Sequence, residues 1–351
     1  LHQHKISSNK IRKTAMPTTP FRWGFIGCGG IAEGFATGLL TLPDAELVAV
    51  AARAEEKATA FAEKYAQAAD GPTPRALDDY QALVEQDDID AVYIATTHHN
   101  HVTWARAAVA AGKAVLVEKP VGLHTDEVAT LIDEAKAANV FLMEAMWMRF
   151  IPAFVDMLAR LRDGVIGEPQ LVQADFGIQH DWNPDERMLN PALGGGALWD
   201  LGIYPLTFAR IIFDDDPEYI HTAWRPAADT GVDELSAYLA SYSDGRIAQL
   251  SSGCRLRVPH QGRIYGPKGA IILDDFFHPH GYRIELHDQE PEVVSLPFDS
   301  SGYQYEAAEV QRCVRAGLLE SPHCPTSETL GIIRDIDGIV QQWGLRYPRA
   351  T

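Results

Sequence analysis

Between Phe21 and Met146 short apolar runs alternate with stretches of helical period. The pattern predicts strands at Trp23–Gly27, Glu46–Ala52, Ala91–Thr96, Ala114–Glu118 and Val140–Ala145, with helices such as Glu55–Ala66 and Val102–Ala111 between them. The runs Val92-Tyr93-Ile94-Ala95 and Ala114-Val115-Leu116-Val117 lack polar alternation, as strands do when helices cover both faces of their sheet. A doubly wound parallel sheet, the Rossmann arrangement, is therefore expected over residues 21–146.

Beyond that point the period changes. Leu171 to Ile178 alternates, with Val172, Ala174, Phe176 and Ile178 on one face. Glu234–Tyr242, Arg246–Gly253, Gly262–Tyr265, Ala270–Leu273 and Val293–Leu296 also read as strands, joined by Ser-Asp-Gly and Gly-Pro-Lys-Gly turns. Residues 147–351 are expected to form a second α/β domain with a large, mostly antiparallel open sheet. An open face of this kind is a surface for a homodimer or homotetramer. Two closing helices, one from about Ser301 and one after Pro325 with a Thr326/Ser327 cap, are expected to pack back on the first domain.

Residues 1–20 are polar and basic and carry no apolar core of a signal peptide; they are expected to be a disordered or tag-derived segment, with Met16 a candidate start. The net charge of −18 comes without a basic stripe, which argues against nucleic acid and anionic membrane as partners. No run approaches the roughly 18 apolar residues of a membrane span. Cys28, Cys254, Cys313 and Cys324 form no CxxC pair, so a reducing cytoplasm is the expected setting.

The first strand runs into Gly27-Cys28-Gly29-Gly30-Ile31-Ala32, a Gly-x-Gly-x-x-Ala turn opening a helix. Such a turn cradles a dinucleotide pyrophosphate: Gly27 for the turn, Gly29 and Gly30 for close approach, Ile31 and Ala32 in the helix start. The second strand ends at Arg53, where an acidic residue would read an adenosine 2′-hydroxyl. A guanidinium there pairs instead with a 2′-phosphate, so NADP (NADPH) is expected ahead of NAD. The competing reading is a solvated arginine at a strand end.

Glu118-Lys119-Pro120 closes a buried strand at the sheet edge where ligands sit. Lys119 there either faces the crevice or snorkels to the surface. Gly194-Gly195-Gly196 leads into an apolar helix carrying Asp200 and Tyr204 four residues apart. Two polar groups on an apolar helix line a cleft, or else are a satisfied core tyrosine and a capping aspartate. Tyr204, with an ordinary pKa of about 10, needs a neighbouring cation to act as a base; Lys119 fits that need. His98-His99-Asn100-His101 and the pair His278, His280 invite a metal reading, but no Cys or acidic partner is spaced for one, and no metal is expected.

These motifs, with Thr96 to His101 and the Tyr265-Gly266-Pro267-Lys268-Gly269 turn, resemble the glucose–fructose oxidoreductase/inositol dehydrogenase (Gfo/Idh/MocA) family over nearly all of the chain from Phe21. The resemblance implies hydride transfer at nicotinamide, with Lys119 catalytic and Thr96, His98, His101 and Glu118 beside the cofactor. Thr96-Thr97-His98 replaces the frequent Thr-Pro-Asn, and Tyr204 stands where many members carry His; both features resemble the dimeric dihydrodiol dehydrogenase branch. That branch implies NADP, a small dihydrodiol, dicarbonyl or sugar substrate, and Tyr204 as acid/base with Lys119 and Asp200. Trp147 and Phe176 would wall the pocket, and Arg149 would lie near it; as bare residues Trp147 and Phe176 read equally as core. Two other readings stay open: an NAD-dependent glycosidase with transient redox chemistry, and a non-catalytic NADP sensor.

Overall fold

The computed structural model describes residues 19–69, 72–181 and 183–350. The expectation for residues 1–20 lies almost wholly outside them. In the first part β1 (Phe21–Ile26), α1 (Gly30–Leu39), β2 (Ala45–Ala51), α2 (Glu55–Ala69), β3 (Arg75–Leu77), α3 (Tyr80–Val84), β4 (Ala91–Ile94), α4 (His101–Ala110), β5 (Ala114–Glu118), α5 (Thr125–Ala137) and β6 (Leu142–Ala145) follow in order. The six strands lie in the order β3-β2-β1-β4-β5-β6, and all pairs are parallel. Chain direction reverses its sheet position between β1 and β4, so a crevice opens at their carboxyl ends. Phe25, Ile26, Val92, Tyr93, Ile94 and Val115 to Val117 are all buried, as their unbroken apolar run requires.

The second part contains α6 (Pro152–Arg162), β7 (Leu171–Gly177), α7 (Ile203–Phe213), β8 (Tyr219–Pro226), β9 (Asp233–Ser241), β10 (Ile247–Gly253), β11 (Gly262–Gly266), β12 (Gly269–Leu273), β13 (Gly281–Leu286), β14 (Glu292–Ser295), α8 (Gln304–Arg315) and α9 (Thr326–Trp343). Its sheet runs β14-β13-β12-β11-β7-β10-β9-β8 and is antiparallel except at β10 and β7. Helices α6 and α7 cover one face, burying Val172, Ala174 and Phe176 of β7. Gln173 and Asp175 face the other side, where a groove of about 690 Å³ runs past His221, Leu239 and Arg263. Helix α8 packs on α1, and α9 packs on α5 and β6.

The start of α7 is set by a buried acid. Residues 198–202 form a wide π-turn leading into the helix, and its first amide, Leu198 N, donates to Asp233 Oδ2 at 2.8 Å. Ser236 Oγ donates to the same oxygen at 2.9 Å, while Asp233 Oδ1 has no partner. Burial pulls the Asp233 carboxyl up to about 7. A raised acid stabilises the fold below its unfolded value near 4 and loses that contribution as the pH rises to 7. Asp233→Asn is therefore expected to flatten stability between pH 4 and pH 7, gaining up to about 4 kcal/mol at pH 8. Urea melts of both proteins across that range check this; parallel curves would mean the acid is solvated.

Candidate active site

The Gly27 turn is conditioned by its neighbour strand. Gly27 has φ +101°, and a Cβ there would stand 2.4 Å from the Ala95 carbonyl oxygen, so only glycine lets the ends of β1 and β4 close up. Gly29 and Gly30 have open space where a side chain would be, and no side chain caps the first amides of α1. These uncapped N–H groups and the room left by the two glycines fit a pyrophosphate. A cleft of about 770 Å³ runs from there in both directions along the sheet edge. At one end stand Arg53, Lys57 and Tyr80; at the other stand Thr96, Thr97, His98, His101, Glu118, Lys119, Arg187 and Asp200. Burial raises the Tyr80 phenol while the neighbouring Arg53 guanidinium pulls it down, which places the two side by side.

Asp200 is the hub of the second end. Its Oδ1 accepts from Lys119 Nζ at 3.0 Å and from Arg187 Nη1 at 2.9 Å, and its Oδ2 accepts from Arg187 Nη2 at 3.2 Å. Lys119 Nζ also donates to the Asp200 carbonyl at 2.9 Å. Burial pushes the Asp200 carboxyl up, but the Lys119 and Arg187 cations outweigh it and hold the group well below the usual carboxylate range. The wide π-turn puts Asp200 and Tyr204, four residues apart, on adjoining positions of the same face.

His98 donates from Nδ1 to the Gly194 carbonyl at 2.9 Å, which leaves Nε2 to accept from Arg187 Nη1 at 3.3 Å. Burial lowers its pKa, so the ring is neutral. His101 lies 2.7 Å from the Pro120 carbonyl through Nδ1 and 3.2 Å from the Thr96 carbonyl through Nε2. Burial pushes it down to about 3, so the neutral ring donates once, to the Pro120 carbonyl, and ties the start of α4 to the chain just after β5. Glu118 turns inward, accepting from Tyr93 at 2.6 Å and from the Lys119 amide at 3.2 Å, with burial raising its pKa.

Tyr204 is buried, with Lys119 Nζ 5.0 Å from its ring centre and Trp147 Nε1 donating to its hydroxyl at 3.1 Å. Its surroundings are aromatic: Phe176 at 5.4 Å, Phe277 at 5.6 Å, and beyond them Phe176 stacked on Phe277 and Trp147 on Tyr303. Burial lifts the phenol well above 10. Desolvation of the anion outweighs the nearby ammonium, so Tyr204 rests as a neutral phenol and Lys119 does not make it a resting base.

Trp147 and Phe176 thus stand beside Tyr204. Arg149 does not. Its guanidinium pairs with Glu328 and reaches the His323 carbonyl at 3.3 Å, lining a different cavity behind the site. In the short 3-10 turn Trp147–Phe150, residues two apart leave the axis in different directions, so Trp147 and Arg149 part company. Lys57, Tyr80, Arg187, Phe277 and Tyr303 were not read from the sequence. Lys57 had a signal, four residues after Arg53 at the start of α2; Arg187 lies in a loop without period. Among the described residues no three His, Cys, Asp or Glu side chains gather to hold a metal, and no helix is long and apolar enough to cross a membrane.

Removing the hub charge leaves two cations facing each other. Asp200→Asn is expected to cost about 3 kcal/mol, the lower end for a broken buried pair because the Arg187 side chain is 44% exposed. The wild-type advantage belongs to a depressed acid: it is present above pH 4 and fades as the pH falls below it. Denaturant melts at pH 7 and pH 3 measure both; an unchanged melt at pH 7 would show that solvent already screens the cations.

Comparison with known proteins agrees with this geometry. Residues 21–146 match the model of an oxidoreductase family with an NAD-binding Rossmann fold, and residues 154–272 match the GFO/IDH/MocA C-terminal domain. The chain is 34% identical to a trans-1,2-dihydrobenzene-1,2-diol dehydrogenase of Xenopus tropicalis, with 93% of this chain and 99% of the relative covered. To the Homo sapiens protein of the same name it is 32% identical, over 93% and 98%. A 3-ketoreductase from Actinomadura kijaniata, solved with NADP and TDP-benzene, superimposes with a TM-score of 0.82 at 28% identity, covering 95% of this chain and all of the other. An aldose-aldose oxidoreductase from Caulobacter crescentus, 24% identical with a TM-score of 0.80 over 92% and 97%, shares the fold. Two sheets joined at a dinucleotide crevice, with the Lys119–Asp200 pair at its end, make this chain an oxidoreductase that belongs to the GFO/IDH/MocA family.

Proposed function

We propose that the protein is an NADP-dependent oxidoreductase in which Tyr204 and Lys119 serve as the acid/base pair for a secondary alcohol and its carbonyl. The observation that carries this reading is the Lys119 ammonium, tied to Asp200 and 5.0 Å from the Tyr204 ring, at the carboxyl edge of the parallel sheet. Gly27 to Ile31 would hold the pyrophosphate, Arg53 and Lys57 the adenosine end, and Thr96, His98 and Glu118 the nicotinamide end. The bound nicotinamide gives or takes the hydride.

In the reduction direction the Tyr204 hydroxyl donates its proton to the substrate oxygen as negative charge grows there. Trp147 already occupies a lone pair of the hydroxyl, so the phenolic proton is free to point at substrate. Lys119 stabilises the growing oxyanion. In oxidation the phenol must first lose a proton against its burial, so that direction gains from higher pH. The wall of Trp147, Phe176, Phe277 and Tyr303 suits a flat ring, which favours a dihydrodiol or dicarbonyl over an open sugar. The relatives named as dihydrodiol dehydrogenases support that choice.

Fluorescence titration with NADPH and NADH, then turnover on a panel of dicarbonyls, aldoses and anhydroketoses, tests the reading. NADPH is expected to bind at least about tenfold more tightly, a preference lost in the Arg53→Ala, Lys57→Ala double variant. Tyr204→Phe is expected to lower turnover at least about tenfold. Turnover left intact in that variant sinks the acid role. Product formed without net NADPH consumption would instead favour the glycosidase cycle.

The open face of the eight-stranded sheet is proposed as the contact between copies of the chain. Leu239 and Ile247 stand exposed there, beside the groove lined by His221, Gln249 and Arg263. Light scattering is expected to give a dimer or tetramer that Leu239→Asp dissociates; a monomeric wild type would end this proposal.

A further inference from the structure

Arg187 has no task in the acid–base reading, yet it touches two of the cleft residues that the motifs single out, Asp200 and His98. It comes from the loop before Gly194, grips both oxygens of Asp200 at 2.9 and 3.2 Å, and donates to His98 at 3.3 Å. Asp200 Oδ1 is shared: Lys119 approaches it at 3.0 Å and Arg187 at 2.9 Å. The charges around the hub can be counted. Lys119 and Arg187 bring two positive charges and Asp200 one negative; His98 is neutral, and the Glu118 carboxyl, turned inward to Tyr93 and raised by burial, is a second acid within electrostatic reach of both cations.

An ammonium paired with a carboxylate of its own is a neutral unit and offers a growing oxyanion little net attraction. A guanidinium that takes the carboxylate end-on through two bonds changes that balance, because planar fork pairing is its preferred geometry. We infer that Arg187 is a positioning residue for the reaction: it takes up part of the charge of Asp200, so that the Lys119 ammonium, which shares Oδ1 with it, keeps more of its positive charge for the substrate oxygen. The inference rests on the proposed role of Lys119 and adds to it. Asp200 then fixes where the lysine points, and Arg187 decides how much of the lysine's charge the substrate feels.

The test uses Arg187→Gln, Arg187→Ala and Arg187→Lys in the full chain, with NADPH affinity by fluorescence as the control for an intact cleft. With the panel compound that the wild type reduces fastest, Arg187→Gln and Arg187→Ala are expected to lower kcat at least about tenfold, at the low end for loss of one preorganised electrostatic group. NADPH affinity should stay within about twofold. Arg187→Lys should recover part of the loss, and added guanidinium ion should raise the kcat of Arg187→Ala but not of the wild type. A second readout avoids turnover: cyclohexanecarboxylate, an anion standing in for a ring alkoxide, should bind the NADP⁺ complex at least about fivefold more weakly in Arg187→Gln. Unchanged kcat and unchanged anion binding overturn the inference, as does a loss confined to NADPH affinity. Lys119→Ala separates the two claims. If it retains turnover, the acid–base reading fails; if it loses turnover while the Arg187 variants do not, only the role of Arg187 falls.

Discussion

The architecture turns on one buried carboxylate. Asp200 sits where the two sheets meet, and taking its charge out of water costs several kcal/mol unless cations come with it. Those cations arrive from separate parts of the chain: Lys119 from the end of β5, Arg187 from the loop before the glycine run, with His98 from the turn after β4 alongside. Each is placed by its own local device. Strand β5 ends at the cleft and delivers Lys119, His101 ties the start of α4 to Pro120 beside it, and the Asp233 carboxyl fixes the first amide of the turn that presents Asp200. If the sheets slid apart, the hub would be stranded without counter-charge. The ion cluster therefore specifies how the halves meet, while the apolar core of each half supplies the bulk of the stability.

The same burial sets the chemistry of Tyr204. A phenol enclosed by Trp147, Phe176 and Phe277 keeps its proton, and the lysine that approaches its ring is already engaged with a carboxylate. An acid held neutral, aimed by a donor on its lone pair, is suited to protonating a carbonyl oxygen during hydride delivery. The aromatic wall contributes twice, by raising the phenol and by keeping water from the buried Tyr204 side chain.

Much of this is legible in the sequence. Strand β5 is legible to its observed ends because four apolar residues and Glu118 lie between Lys113 and Lys119, and the Gly27 turn because glycine spacing there answers a steric demand. The two observed sheets carry the periods that distinguished them: unbroken apolar runs in one, alternation in the other. Strands β8 and β13 were passed over although Tyr282 and Ile284 alternate with polar neighbours, since Arg283 and Glu285 dilute so short a signal. Site residues flanked by glycine or proline punctuation, Lys119 and Asp200, could be found from sequence. Arg187 could not, because a loop arginine is placed by its tertiary partners and leaves no periodic trace. Arg149 misled for the opposite reason: adjacency to Trp147 in sequence is not adjacency around a 3-10 turn.

Charge shows the same contrast between composition and place. The chain carries a net −18, which taken as a whole predicts repulsion of any anion. Yet Arg53, Lys57, Lys119 and Arg187 all line a single cleft, Arg53 and Lys57 exposed at one end and Lys119 and Arg187 paired with Asp200 at the other. Clefts with cationic lining and low-dielectric walls focus field lines, so the local potential there is set by these few groups and not by the distant acidic surface. Where these four basic side chains stand is a quantity that no count of residues contains.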